Sequence, residues 1–163
     1  MEKPAVYIET TVPSAYLDER STPEMLQRRD CTRRWWSGAS AKYEMLGSPV
    51  LISELSTGTP ARVQQRLALV SGLHILEFTR EIEEIVELYV RHKLMPAFPT
   101  ADAHHLAFAS YYACDYLISW NYRHLVNTRK FHHVRKINTL HGLFVPALVT
   151  PAQLLGGSDG NSV

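Results

Sequence analysis

Four residues combine an oxygen-bearing side chain with a place where the chain turns from apolar to polar. They are Glu9 in AVYIETT, Glu54 in SPVLISEL, Asp102 in PTADAHH and Asn121 in DYLISWNYRH. Three carboxylates brought within a few ångströms repel one another and raise each other's pKa values unless a cation lies among them. A divalent ion removes that repulsion. An oxygen-only ligand set without thiolates suits Mg²⁺ or Mn²⁺ rather than zinc. An amide at the fourth corner, Asn121, can offer a neutral oxygen to such an ion or hydrogen-bond a water on it. Asp115 competes for that corner. It begins the run DYLIS, however, and five or six residues at about 3.3 Å each place it about 15 to 20 Å from Asn121.

Each residue alone also has a structural reading. Asp102 complements a helix dipole in a first turn, Glu54 starts a helix after Ser53, and Asn121 is an ordinary turn residue. Glu9 is harder to explain in this way, because it ends a strand that should be buried, where an unpaired carboxylate is costly. Their joint placement carries more weight than any one of them.

That placement depends on the elements between them. Short β-branched and aromatic runs predict strands at 5–10, 48–55, 72–78, 115–119 and 146–150. Helical periodicity predicts an amphipathic helix over 80–93, with Ile82, Ile85, Val86 and Tyr89 on one face, and another over 102–113. Thr22, Pro23 and Glu24 read as N-cap, first-turn proline and acidic first turn of a long basic helix. Gly38 interrupts that helix, and Trp35 and Trp36 are candidates to close it. Strands alternating with helices imply parallel βαβ units and a three-layer α/β/α sandwich with a five-stranded, mainly parallel sheet. Open sheets of this kind bind ligands beyond the carboxyl ends of their strands. Glu9, the Ser53-Glu54 pair and the Ser119-Asn121 stretch fall at those ends, and Asp102 opens the helix leading into strand four.

The 163 residues, 45% hydrophobic and 20% charged, describe one domain over 1–155 with a small, polar, disordered tail over 156–163. A formal net charge of +1 announces neither nucleic acid nor membrane for the whole chain. Locally, no carboxylate occurs between Asp115 and Asp159, while Arg123, Arg129, Lys130, Arg135 and Lys136 fall there with four histidines. A second basic cluster, Arg28, Arg29, Arg33 and Arg34, precedes the tryptophan pair. Both clusters read either as solvated helix faces or as rims contacting phosphate. Trp35 and Trp36 read as half-buried core, or as a surface for bases or a partner. Cys31 and Cys114, in no ligand-like spacing, predict reduced buried thiols in a cytoplasmic protein. The start MEKPAVYIETT lacks the order of a secretory leader, and no apolar run approaches the roughly 20 residues of a membrane span. The doublets His104-His105 and His132-His133 do not suit zinc, since neighbours on a helix stand about 100° apart and no third ligand is suitably spaced.

VYIETTVPSAYLDE, LISELSTG, TADAHHLAFASYYACDYLISWNYRHLVN and VPALVTPAQLL, in that order and spacing, resemble the PIN-domain ribonucleases. The nearest likeness is to the VapC-like toxins of bacterial type II toxin-antitoxin pairs. The likeness spans about residues 5–155. It implies a five-stranded parallel sheet, an acidic cluster holding Mg²⁺ or Mn²⁺, and hydrolysis of phosphodiester bonds in single-stranded RNA. By motif, Glu9, Glu54 and Asp102 take the first three acidic positions, Asn121 stands where the fourth acid usually does, and Ser119 is the neighbouring hydroxyl. The first position is Glu where the wider family mostly has Asp, and the fourth is an amide; a branch with ET and WN at these places shares both departures. These weaken the case for two permanent metals and imply one tightly held ion plus one recruited with substrate. The resemblance further implies 3′-hydroxyl and 5′-phosphate products, with Glu9, Glu54 or Asp102 taking the proton from water. It places Arg123, His124 and Lys130 against the RNA backbone, and implies a homodimer and a small antitoxin partner.

Two readings from other classes stand beside this one. A PIN-like module with a depleted acidic site would bind RNA or a small protein without cutting, and Asn121 favours it. A Mg²⁺-dependent phosphatase or receiver-like domain needs an aspartate nucleophile after strand one, for which Glu9 is a poor replacement.

Overall fold

The run AVYI forms β1 (Ala5–Ile8), and its alternation sets the architecture. Tyr7 faces one core while Val6 and Ile8 face another, and all three are fully buried. A strand covered on both faces has to be apolar throughout, as this one is. The structure, a computed structural model, describes residues 2–159. β1 is central in a five-stranded, all-parallel sheet of order β3-β2-β1-β4-β5, completed by β2 (Glu44–Gly47), β3 (His74–Ile75), β4 (Tyr116–Ile118) and β5 (Ala147–Val149). Tyr7 pairs with Leu46 of β2 and Leu117 of β4, so one row of side chains crosses the sheet.

That row joins Leu148 and the apolar faces of α5 (Arg80–Arg91), α6 (Ala101–Tyr111) and α7 (Thr128–Leu140). On the opposite face Val6, Ile8 and Ile118 meet α1 (Thr11–Tyr16), α2 (Pro23–Lys42) and α8 (Pro151–Asp159). The sandwich expected from the alternating pattern is therefore present. Helix α2 starts as predicted, with Thr22 Oγ1 accepting the Met25 N–H. It does not stop at the tryptophans, however, and runs through Gly38 to Lys42. A helical glycine costs about 1 kcal/mol, and Trp35 and Ala39, both buried against the sheet, offset it. Trp36 is half-buried beside them.

The stretch 48–55, expected as strand two, is instead helix α3 (Pro49–Leu55), and the strand is the preceding EMLG. The apolar run hid a capping signal. Ser48 Oγ accepts the Leu51 N–H and Pro49 opens the first turn, a start typical of helices. Leu51 and Leu55, one turn apart, are both buried in a small cluster with Val70, which closes the packing beside α4 (Pro60–Leu69). Gly47 lets α3 turn over the end of β2, since a Cβ there would lie 2.8 Å from Leu51 Cδ2. The third strand is shorter than expected and lies at the sheet's edge, with both residues exposed.

Helix α8 extends to Asp159, through the first residues of the tail expected to be irregular. The remainder of that tail, 160–163, lies outside the described residues. Cys114 is buried and Cys31 half-buried, and both are free thiols. Among the described residues no helix is long and apolar enough to cross a membrane.

The strand order reverses between β1 and β4, so the crevice beyond their carboxyl ends is where side chains of a ligand site would gather.

Candidate active site

Glu9 is the first residue past β1, and its N–H still donates to Ile118 O at 3.1 Å, which fixes it beside β4. Its carboxylate is only 3% exposed. Oε1 accepts the Thr11 N–H at 3.0 Å, the Ser119 hydroxyl at 2.7 Å and the Thr11 hydroxyl. All the hydrogen bonds described for this carboxylate fall on that one oxygen. Burial pushes the Glu9 pKa above its ordinary value, and His105, Thr11 and Ser119 offset this only in part.

Ser119 is fully buried and joins two of the expected residues, since its Oγ donates to Glu9 and accepts the Asn121 N–H at 2.8 Å. Asn121 does not present its oxygen as the sequence suggested. Oδ1 accepts the His124 N–H at 3.0 Å, and Nδ2 faces both oxygens of Asp102 at 3.3 Å. The amide therefore orients Asp102 and caps the following turn, which explains the asparagine three residues beyond β4. Asp102 stands in the first turn of α6, as expected. Asp115 lies at the opposite end of the sheet, its Oδ2 accepting the Ala5 N–H at 2.8 Å.

Glu54 reaches the crevice from the last turn of α3 rather than from a strand. Its Oε1 accepts from Thr10 Oγ1 and from His105 Nε2, each at 2.6 Å. Burial raises the Glu54 pKa, but His105 and Thr10 outweigh it and hold the carboxyl below its usual range. Behind Glu54 runs a buried chain that sequence reasoning missed. His105 Nδ1 lies 2.6 Å from the Tyr7 hydroxyl, which lies 2.7 Å from Ser48 Oγ, which in turn accepts the Leu51 N–H. One ordering of protons satisfies every donor: Ser48 donates to Tyr7, Tyr7 to Nδ1, and Nε2–H to Glu54. The two ends of α3 are thereby tied to β1 and α6. The available signal was a tyrosine in a fully apolar strand, because a buried phenol requires a partner. His104 points elsewhere, with Nε2 2.8 Å from Glu83.

Glu9, Glu54, Asp102 and Asn121 line a single cleft of about 370 Å³. Asp18, Arg20 and Arg28, which the sequence reading did not place there, share its wall; Arg20 is paired with Asp18 at 2.6 Å and Arg28 with Glu24 at 2.9 Å. Of the basic cluster on α2, only Arg28 reaches the cleft; Arg29 and Arg33 donate to the Asp18 and Tyr16 carbonyls and tie α2 to the end of α1. Among the expected RNA contacts, Arg123 is exposed and His124 half-buried. Lys130 is half-buried with Nζ on the Leu94 carbonyl, and burial pushes its pKa down while Asp102 pulls it back up. A larger cavity of about 740 Å³, between α7 and β5, has no carboxylate in its wall.

No protein-family model and no curated protein matches the chain.

The donors fit a hard divalent cation in kind. They are oxygens only, and one belongs to a buried carboxylate whose partners are mainly neutral. They are not gathered as a finished ligand set, because among the described residues no three acidic, histidine or cysteine side chains stand close enough to hold one ion. Glu54 is instead hydrogen-bonded to His105 and Asp102 to Asn121.

Proposed function

We propose that the protein is a metal-dependent endoribonuclease acting on single-stranded RNA, of the toxin-like PIN type. One observation carries this reading: Glu9, Glu54, Asp102 and Asn121, drawn from four separate segments, line one cleft at the switch point of a parallel sheet. Glu9, Glu54 and Asp102 are the side chains that would hold Mg²⁺ or Mn²⁺. Such an ion, when bound, supplies Lewis-acid charge to phosphodiester hydrolysis.

The chain's own residues supply position. Thr11 and Ser119 hold one Glu9 oxygen and leave the carboxylate facing the cleft. Asn121 fixes the Asp102 carboxylate, and the Ser48-Tyr7-His105 chain fixes Glu54. Arg28, whose exposed partner Glu24 can be exchanged, would offer positive charge to an entering phosphate, and Arg123 extends it along the exposed rim. Within this reading the protein acts in the cytoplasm, pairs with a second copy of itself, and is restrained by a small antitoxin.

The test is cleavage of a single-stranded RNA by the purified chain with Mn²⁺, beside Asp102→Asn. Cutting by the wild type that is lost in the variant supports the reading, and cutting by neither overturns it. A second reading, a PIN-like module that binds RNA or a small protein without cutting, is favoured by the spread of the acidic side chains and by the Asn121 oxygen turned toward His124. It predicts RNA binding with no cleavage at any Mn²⁺ concentration.

A further inference from the structure

Beside the acidic cleft lies a second hollow of about 280 Å³, and the two share Arg28 and Trp120 as a common wall. Its other side is Tyr122, a ring 48% exposed in a position that no core contact requires. The Arg28 guanidinium carbon lies 5.5 Å from the centroid of the Trp120 ring and 5.5 Å from that of Tyr122. The two rings are 6.5 Å apart and tilted by 57°. The back of the hollow is rigid. Trp120 is nearly buried, its Nε1–H donates to Thr32 Oγ1 at 2.8 Å, and that hydroxyl donates to the Arg28 carbonyl at 2.6 Å. The front is free to exchange partners. Arg28 is paired at 2.9 Å with Glu24, which is 67% exposed, and a pair of that kind contributes little and yields to a competing anion.

We infer that Tyr122 and Arg28, backed by Trp120, form a stacking subsite for one unpaired nucleobase next to the nucleotide whose phosphate enters the acidic cleft. This rests on the RNA reading above and adds where the strand lies. An exposed aromatic ring with a guanidinium over it offers a π-system and a cation together, the combination that single-stranded nucleic acid uses without regard to sequence. A hollow of about 280 Å³ suits a base and its sugar rather than a folded partner. Because Arg28 borders both hollows, releasing Glu24 would let it contact the phosphate between the stacked base and the cleft.

The experiment measures binding without catalysis. Fluorescence anisotropy of a labelled single-stranded RNA hexamer is recorded in EDTA for wild type, Tyr122→Ala and Tyr122→Phe. A parallel series uses a hexamer with abasic sites in place of bases. Loss of one stacked base predicts about five-fold or more weaker binding for Tyr122→Ala. Tyr122→Phe stays within about two-fold of wild type, and the Tyr122→Ala defect disappears on the abasic strand. Wild-type binding with Tyr122→Ala equally tight overturns the subsite and leaves the RNA reading standing. A defect of equal size on the abasic strand also overturns it, since the ring would then act through the backbone or the fold. No binding of RNA by the wild type overturns the subsite and the RNA reading together.

Discussion

Removing one oxygen atom, by Tyr7→Phe, separates what stabilises this fold from what shapes its cleft. The Tyr7 ring is fully buried and its hydroxyl serves two partners, His105 Nδ1 at 2.6 Å and Ser48 Oγ at 2.7 Å. Phenylalanine keeps the packing against Phe108 but leaves both partners short of one hydrogen bond in a place water does not reach. At about 1–2 kcal/mol for each orphaned group, the cost is about 2–4 kcal/mol. For a chain of this size that lowers Tm by roughly 5–15 °C. The matched control is Tyr89→Phe. Tyr89 is also fully buried, with its hydroxyl 2.8 Å from Asn138 Oδ1 and 2.9 Å from Ser110 Oγ, but it faces no cleft residue. Both variants therefore lose comparable stability in urea denaturation, while only Tyr7→Phe frees His105 and, through it, Glu54. Loss of a partner behind a metal ligand weakens metal affinity about 10–100-fold, so Mn²⁺ titration followed by calorimetry falls for Tyr7→Phe and holds for Tyr89→Phe, both measured well below their Tm. Equal Mn²⁺ affinity in the two variants would refute the role assigned to the chain, and an undiminished Tm for Tyr7→Phe would refute the hydrogen-bond accounting.

Three further outcomes are expected. Glu9→Gln raises Tm at pH 7–8 in EDTA and abolishes cleavage: the raised folded pKa of Glu9 means stability is full below its unfolded value, about 4.5, and is lost as pH rises through the folded value, so the variant's advantage shrinks toward pH 4 in a pH series of melts. Asn121→Asp replaces the amide donor on Asp102 with a second carboxylate, lowering Tm in EDTA and enlarging the upward shift on adding Mn²⁺, read by thermal melts with and without the ion. Gly47→Ala sets a methyl 2.8 Å from Leu51 Cδ2 and costs about 1–3 kcal/mol in urea denaturation, because the fully buried Leu51 side chain has to leave its place.

The strand-helix alternation was readable because the sheet is buried on both faces, so β1, β4 and β5 are apolar runs too short to be helices. The same rule misread 48–55: a run of eight residues is ambiguous in period, and the Ser48-Pro49 cap, which settles it, was passed over. The error did not displace Glu54 from the cleft, because the end of a strand at this point and the last turn of a helix packed on the end of β2 lie in the same region. Glu9 and Asp102 were legible from their places at a strand end and a helix start. The direction of the Asn121 amide was not, since it depends on a hydrogen bond to the His124 N–H that only the turn geometry reveals. His105 and Tyr7 were hidden for a related reason: each sits in an apolar stretch, 98 positions apart in the chain, and periodicity says nothing about which buried polar atoms meet. The gathering of Arg28, Trp120 and Tyr122 likewise required α2 to be laid across the end of β4.

The central claim is that Glu9, Glu54 and Asp102 serve one divalent cation. A crystal soaked in Mn²⁺ tests it most directly through the anomalous signal of the metal. The account predicts a Mn²⁺ ion in the cleft with oxygens of all three side chains around it and Glu54 still held on His105 through Oε1. Manganese bound elsewhere, or no ordered manganese in a crystal whose cleft is open to solvent, would contradict it.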